Sequence, residues 1–227
     1  CDLVLLPSHG VANLFKWYKI TPKQAIAPLG VNTKKFVPPE SKIEAKKKLG
    51  INPNATVVGY VGRLAYEKDL KTLVRAYQRQ RDLHEDLQLL LVGSGVDDLR
   101  LKLEKIRGVV IAGNQNDVVP YYQAMDIYVL PSLTETTSLS TLEAMSCEVP
   151  VITTPVGEAS KYVKNGKNGY KFSKGNSFEL SHFMKLLIED EKMRNKLGMH
   201  ARRTVEENYS WDAAAKHIMG ILQSVLV

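Results

Sequence analysis

Gln88-Leu89-Leu90-Leu91-Val92 runs directly into Gly93-Ser94-Gly95, and that junction decides the fold class. Consecutive aliphatic residues leave neither face of an extended segment polar, so the strand must be covered on both sides. A glycine-bracketed loop after such a strand marks the corner of an α/β unit. The same rhythm continues in both directions. Strand-like runs fall at Leu3–Leu6, Gln24–Pro28, Val57–Val61, Gln88–Val92, Val109–Ala112, Ile127–Leu130, Val149–Thr153 and Gly169–Phe172. Helical patterns lie between them at 69–80, 97–107, 116–124, 138–147 and 176–189, and helices continue to the end. This alternation predicts an α/β protein with a Rossmann-like, doubly wound parallel sheet.

One composition break interrupts the pattern. From Asn32 to Ala55 come Pro38-Pro39, a helix rich in lysine (Lys42, Lys46, Lys47, Lys48) and Gly50-Ile-Asn-Pro-Asn54. The stretch reads as a connection, so residues 1–33 form the end of one α/β unit and residues 34–227 carry a second. The chain opens on Cys1 and enters a strand at once, which reads as a piece cut from something longer. Internal repeats and low-complexity tracts are absent.

The 227 residues include 44% hydrophobic and 24% charged side chains, a globular balance that excludes disordered and fibrous classes. Two cysteines, Cys1 and Cys147, make no disulfide framework and point to a reducing, cytoplasmic setting. Apolar runs such as Leu89–Val92 are far shorter than the ~18 residues a membrane helix needs. No signal-peptide pattern is visible. The net charge of +7 suggests partners bearing phosphate, or docking on an anionic membrane face, but much of the excess lies in the lysine-rich helix, which reads as a solvated face ahead of a binding patch. Aromatics are sparse and not interleaved with basic residues, which argues against nucleic acid. His9, His84, His182, His200 and His217 lack metal-ligand spacing, and neither a Walker sequence nor a G-x-S-x-G elbow occurs.

In a doubly wound sheet the ligand sits beyond the carboxyl ends of the strands, so the loops there carry the chemistry. After Val57–Val61 comes Gly62-Arg63-Leu64-Ala65-Tyr66-Glu67-Lys68-Asp69. Gly62 permits close approach, and Arg63 with Lys68 would suit a diphosphate ahead of a helix start. The alternative is a surface turn capped by Asp69. Gly93-Ser94-Gly95 begins like a dinucleotide fingerprint, but Asp97 and Asp98 follow where a pyrophosphate would be repelled, which argues against a nicotinamide dehydrogenase. After Ile127–Leu130, Glu135 and Glu143 bracket a run of hydroxyl residues at a helix start. Backbone N–H groups of Thr137, Ser138 and Leu139 would receive phosphate oxygens, and the two glutamates would accept from sugar hydroxyls. Here the alternative is a capping box, Ser140-Thr-Leu-Glu143.

Taken together, these motifs resemble the C-terminal domain of GT-B-fold retaining glycosyltransferases, group 1 (glycosyltransferase family 4). The anchors span essentially the whole chain: Pro28-Leu-Gly30-Val-Asn32, Tyr60-Val-Gly62-Arg63-Leu64 with Glu67-Lys68, and Leu91-Val-Gly93-Ser-Gly95. They continue with Tyr121-Tyr-Gln-Ala-Met-Asp126-Ile-Tyr-Val-Leu-Pro131-Ser132, Glu135 and Glu143 with Ala144-Met145, Pro150-Val-Ile-Thr-Thr154, Gly157-Glu158, Asn168-Gly169 and Tyr209-Ser-Trp211. The resemblance implies a UDP-sugar or GDP-sugar donor, a glycan or lipid acceptor, and transfer with retention and without a metal or other cofactor. Arg63 and Lys68 would bind the leaving diphosphate, Glu135 the donor sugar, Glu143 the ribose, and Gly113-Asn114 would lie beside the base. It also implies an N-terminal half carrying the acceptor site, of which residues 1–33 are the end, so that the chain alone is a donor-binding half. The departures are Asn32 where Asp is commoner, and Thr136-Thr137-Ser138 where most relatives carry Gly-Phe-Gly. A non-catalytic sugar-nucleotide-binding module and a GT-B-fold epimerase remain the alternatives.

Overall fold

The computed structural model of the chain describes residues 1–95 and 97–226, which build two parallel sheets. The smaller pairs β1 (Val4–Leu6) with β2 (Gln24–Ile26) across α1 (His9–Trp17). The larger contains β3 (Thr56–Val61), β4 (Leu87–Val92), β5 (Val109–Gly113), β6 (Ile127–Leu130), β7 (Val151–Thr153) and β8 (Gly169–Lys171). Their order is β5-β4-β3-β6-β7-β8, every pair parallel. The chain therefore starts at the middle, steps outward through β4 and β5, and returns to lay β6 against the other side of β3. Doubly wound sheets of this order open a crevice where the direction reverses, here between β3 and β6.

The helices are α2 (Lys42–Lys48), α3 (Leu70–Arg81), α4 (Asp97–Glu104), α5 (Val119–Ala124), α6 (Leu139–Ser146), α7 (Ala159–Tyr162), α8 (Ser177–Glu189), α9 (Glu191–Asn208) and α10 (Trp211–Leu226). α3 packs on α8, α2 on α5 and α6 on α9. Leu89, Leu90 and Leu91 are successive, so their side chains alternate across the sheet, yet all are at most 2% exposed. Both faces are thus covered, and each buried leucine contributes about 1.5–3 kcal/mol of transfer free energy.

Every strand run read from the sequence is present, with its ends within two residues of the expected ones. Two short helices, α1 and α7, had no sequence signal. α1 is capped by Ser8, whose hydroxyl accepts from the Val11 N–H, but it buries none of its residues and so carries little core periodicity. The lysine-rich connection also corrects the expectation of a solvated face. Lys46 is buried, with its ammonium 2.7 Å from Asp126 Oδ2 and 2.7 Å from the Ala55 carbonyl. Lys42 donates to the Met125 carbonyl at 2.6 Å, and burial holds its pKa below the usual lysine value. Asp126 in turn accepts from the Val57 N–H at 2.8 Å. Two of the four lysines therefore bolt α2 to the starts of β3 and β6, and only Lys47 and Lys48 face solvent. Removing one partner of such a buried pair costs about 3–5 kcal/mol.

Residues 1–33 are fastened to the larger unit by several hydrogen bonds. Val31 donates to the Tyr209 carbonyl at 2.8 Å and accepts from the Trp211 N–H at 3.0 Å, which ties the segment to the start of α10. Elsewhere, His9 N donates to Glu158 Oε1 at 3.0 Å.

Candidate functional site

A cleft of about 630 Å³ lies at the carboxyl ends of β3 and β6, where the sheet reverses direction. Gly62, Arg63 and Lys68 line it from the β3 side. Glu135, Thr137, Ser138 and Leu139 line it from the β6 side. Residues 67 positions apart are thereby brought within contact: the Lys68 ammonium pairs with Glu135, whose Oε1 also accepts from Ser132 Oγ at 2.9 Å. Hollows of similar volume, about 640 Å³, occur beside α10 and α2, so size does not single out this one; the grouping of two cations, a carboxylate and a helix start does.

The two cations differ in setting. Arg63 is 75% exposed and, among the described residues, is paired with Glu67 at 2.9 Å, so its fork is available to an incoming anion. Lys68 is largely buried in its pairing with Glu135. It closes a 3-10 turn, Tyr66–Lys68, after which Asp69 caps α3 by accepting from Thr72 N at 3.4 Å and Thr72 Oγ1 at 2.6 Å. The capped-turn alternative is thus realised for Asp69, while Arg63 and Lys68 still border the cleft.

At α6 the capping-box alternative is not realised. The N-cap is Ser138, in the left-handed region with φ 57°, and its side chain makes no capping hydrogen bond. Ser138 Oγ pairs with Thr141 Oγ1 at 2.8 Å, and Ser140 Oγ accepts from Tyr128 at 2.8 Å. The carboxylate of Glu143 is taken by Tyr122 Oη at 2.8 Å. Among the described residues no side chain caps the first turn of α6, which opens on the cleft with the partial positive charge of a helix start. The hydroxyl of Thr137 donates to the Pro7 carbonyl at 3.3 Å, so the departures at 137 and 138 spend their polar groups within the protein.

Glu143 does not line the cleft with Glu135; it sits one helical turn beyond Leu139, half-buried, and burial raises its pKa against the opposing Tyr122 hydrogen bond and Lys35 charge. Asn114 lines an adjoining recess of about 220 Å³ together with Arg63, Ser94 and Gln115. Gly113 lies behind it, its carbonyl accepting from the Gly93 N–H at 2.7 Å. Sequence reasoning missed Tyr60, Leu29 and Ser140 on the cleft wall. Leu29 had a usable signal, an exposed apolar residue in the Pro28–Asn32 motif.

The glycines after β4 have a different use from the one their spacing suggested. A Cβ on Gly93 would stand 2.0 Å from the Gly62 carbonyl oxygen, and one on Gly95 2.0 Å from that of Leu64. Their bareness lets the β3 and β4 loops zip together, with Leu64 N donating to the Ser94 carbonyl at 2.9 Å. The expectation about the Asp97 and Asp98 side chains falls outside the described residues. Among the described residues no group of three His, Cys, Asp or Glu side chains is arranged to hold a metal ion, and no helix is long and apolar enough to cross a membrane.

A parallel sheet of this order with its cleft at the reversal is the Rossmann-like half of a GT-B fold, and solved structures match it throughout. Sucrose-phosphate synthase from Thermosynechococcus elongatus superposes with a TM-score of 0.85 at 26% identity, over 100% of this chain and 59% of that one. HepE from Anabaena, in complex with UDP and glucose, does so with a TM-score of 0.86 at 21% identity, over 99% and 63%. The family model for glycosyl transferases group 1 matches residues 41–204, and the chain belongs to that family. The capsular polysaccharide biosynthesis glycosyltransferase CapM of Staphylococcus aureus is 31% identical over 205 residues, 88% of this chain and 54% of that protein. The chain spans about half the length of the curated relatives it matches.

Proposed function

We propose that residues 34–227 form the nucleotide-sugar-binding domain of a retaining glycosyltransferase that moves a sugar from a nucleoside diphosphate to a glycan, glycolipid or polysaccharide acceptor. The observation that carries this reading is the meeting of Arg63, Lys68 and the uncapped start of α6 around one cleft. A diphosphate placed there gains a bidentate guanidinium, an ammonium and a helix terminus, all favouring the charge that grows as the sugar–phosphate bond breaks. Charge stabilisation of that kind calls for no metal. Glu135, released from Lys68 as the phosphate takes that cation, would accept from sugar hydroxyls, and Glu143 from the ribose. The recess at Asn114 would receive the base.

Residues 1–33 would be the end of the acceptor-side domain, a reading supported by a two-stranded sheet that stands apart from the six-stranded one. With that half supplying the acceptor, the chain alone binds the donor and transfers nothing. The net charge of +7 favours peripheral docking on an anionic cytoplasmic membrane face, and sedimentation with anionic vesicles at low salt tests it.

The function is tested by thermal unfolding with UDP and with GDP. At a hundred times its dissociation constant, the true nucleotide stabilises by about 2.7 kcal/mol and raises Tm by roughly 5–10 °C. R63A, K68A and E143A should each abolish the shift. A melting temperature unmoved by millimolar UDP, GDP or ADP would overturn the reading.

A further inference from the structure

Five of the ten tyrosines, Tyr60, Tyr77, Tyr122, Tyr128 and Tyr162, have their side chains at most 2% exposed. A buried phenol has to find an acceptor, so the partner it takes tells what it fixes. Tyr77 bonds the Leu87 carbonyl at 3.2 Å and that of Arg107 at 3.0 Å, at the start of β4 and far from the cleft. Three of the other four reach the cleft wall from beneath, and Tyr122 reaches Glu143, one helical turn behind that wall. Tyr60 Oη donates to the Arg63 carbonyl at 2.7 Å, and a Cβ on Gly62 would lie 2.7 Å from that hydroxyl. Tyr162 donates to the Thr137 carbonyl at 3.0 Å, with that of Ser138 at 3.3 Å. Tyr128 donates to Ser140 Oγ and Tyr122 to Glu143 Oε2, each at 2.8 Å.

We propose that Tyr60, Tyr122, Tyr128 and Tyr162 are positioning residues of the donor site, a layer of fixed hydroxyl donors that sets the Arg63 backbone, the start of α6 and the Glu143 carboxylate. The inference rests on the nucleotide-sugar reading. Burial raises the pKa of all four phenols, so each remains an O–H donor across the working pH range. Their rings cannot turn freely: Tyr122 is wedged against Phe36 and Tyr128, with ring centroids 6.0 Å away in both cases, and Tyr162 against Tyr209 at 5.3 Å. Donors held this way orient their acceptors before a ligand arrives, and no reorganisation is left for the binding step. Tyr122 fixes one oxygen of Glu143 and leaves the other for a ligand hydroxyl.

Tyr→Phe at each position removes the hydroxyl and keeps the ring. UDP and GDP are titrated calorimetrically into the wild-type chain, the four variants and Y77F as a control for loss of a buried hydroxyl elsewhere. Y122F should weaken the preferred nucleotide about five- to twentyfold and the other three by about threefold or more, the range expected for losing an oriented hydrogen bond. Y77F should lower Tm as far as the others do and bind within twofold of wild type. Y122F should also move the acid limb of binding to higher pH, because the Tyr122 bond lowers the Glu143 pKa and its loss lets the carboxylate protonate sooner. The other groups acting with Glu143 are Lys35, Tyr128 and Cys147; burial keeps the phenol and the thiol protonated there, the thiol with its pKa pushed up to about 12. Wild-type affinity in all four variants, or an equal loss in Y77F, would overturn the inference. A wild-type chain that binds neither nucleotide removes the proposed function and this inference with it.

Discussion

Two helices begin beside the same cleft, and they begin differently. α3 starts at Asp69 and α6 at Ser138, both in left-handed backbone with φ 46° and 57°. Asp69 turns its carboxylate onto Thr72 and closes the first turn of α3. Ser138 pairs its hydroxyl with that of Thr141 and leaves the first turn of α6 without a cap. A capped helix end has spent its positive pole internally, whereas an uncapped one keeps it for something else. The strained backbone that both share is therefore a matter of chain geometry at the corner, and the cap decides which corner serves a ligand.

Closing the open end should have the largest effect. S138D supplies a carboxylate that the left-handed backbone tolerates, and it adds a negative charge where the diphosphate would sit. Nucleotide affinity should fall by at least about a hundredfold, read by calorimetry. Opening the closed end should act on stability alone: D69A is expected to cost about 1–2 kcal/mol, a drop in Tm of roughly 3–6 °C, with nucleotide affinity within twofold. S138G relieves the left-handed strain but also removes the buried bond to Thr141, two effects of about 1 kcal/mol and opposite sign, so stability in denaturant unfolding should stay within about 1 kcal/mol of wild type. If S138D binds as well as wild type, the contrast between the two ends has no functional content.

A third helix start gives the smallest and most conditional effect. Glu158 precedes α7 and makes no cap there, because its carboxylate goes to His9 and Lys161. Burial pushes its pKa up, but the hydrogen bonds from His9 N–H and Lys161 outweigh it and the net shift is downward. A carboxyl lowered in the folded state stabilises above its unfolded value, near 4.3, and that contribution is lost as pH falls through the folded one. E158Q should therefore lose stability at pH 7 and show a shallower decline between pH 5 and 3 than wild type, followed by thermal unfolding.

Legibility followed the source of each signal. β4 announced itself because a strand buried on both faces leaves an unbroken aliphatic run, and β3, β6 and β7 share that burial. α1 was silent because none of its residues is buried. The cleft residues Arg63, Lys68, Glu135 and Ser138 were legible as charges and hydroxyls at loop positions the fold sends to one edge. Their supports were not. Whether Ser140 or Ser138 caps α6, or whether Tyr122 rather than solvent meets Glu143, depends on contacts between residues up to 21 positions apart, which spacing along the chain does not encode. Lys46 illustrates the same limit, since its burial is set by Asp126, 80 residues away.

The zipped loops after β3 and β4 bear on how this protein diversifies. Positions 93 and 95 admit not even a methyl group, because the obstruction on the facing side is main chain that no neighbouring substitution can shorten. The opposite lip, at 136–138, meets no such obstruction, and there this chain carries three side chains that face or border the crevice.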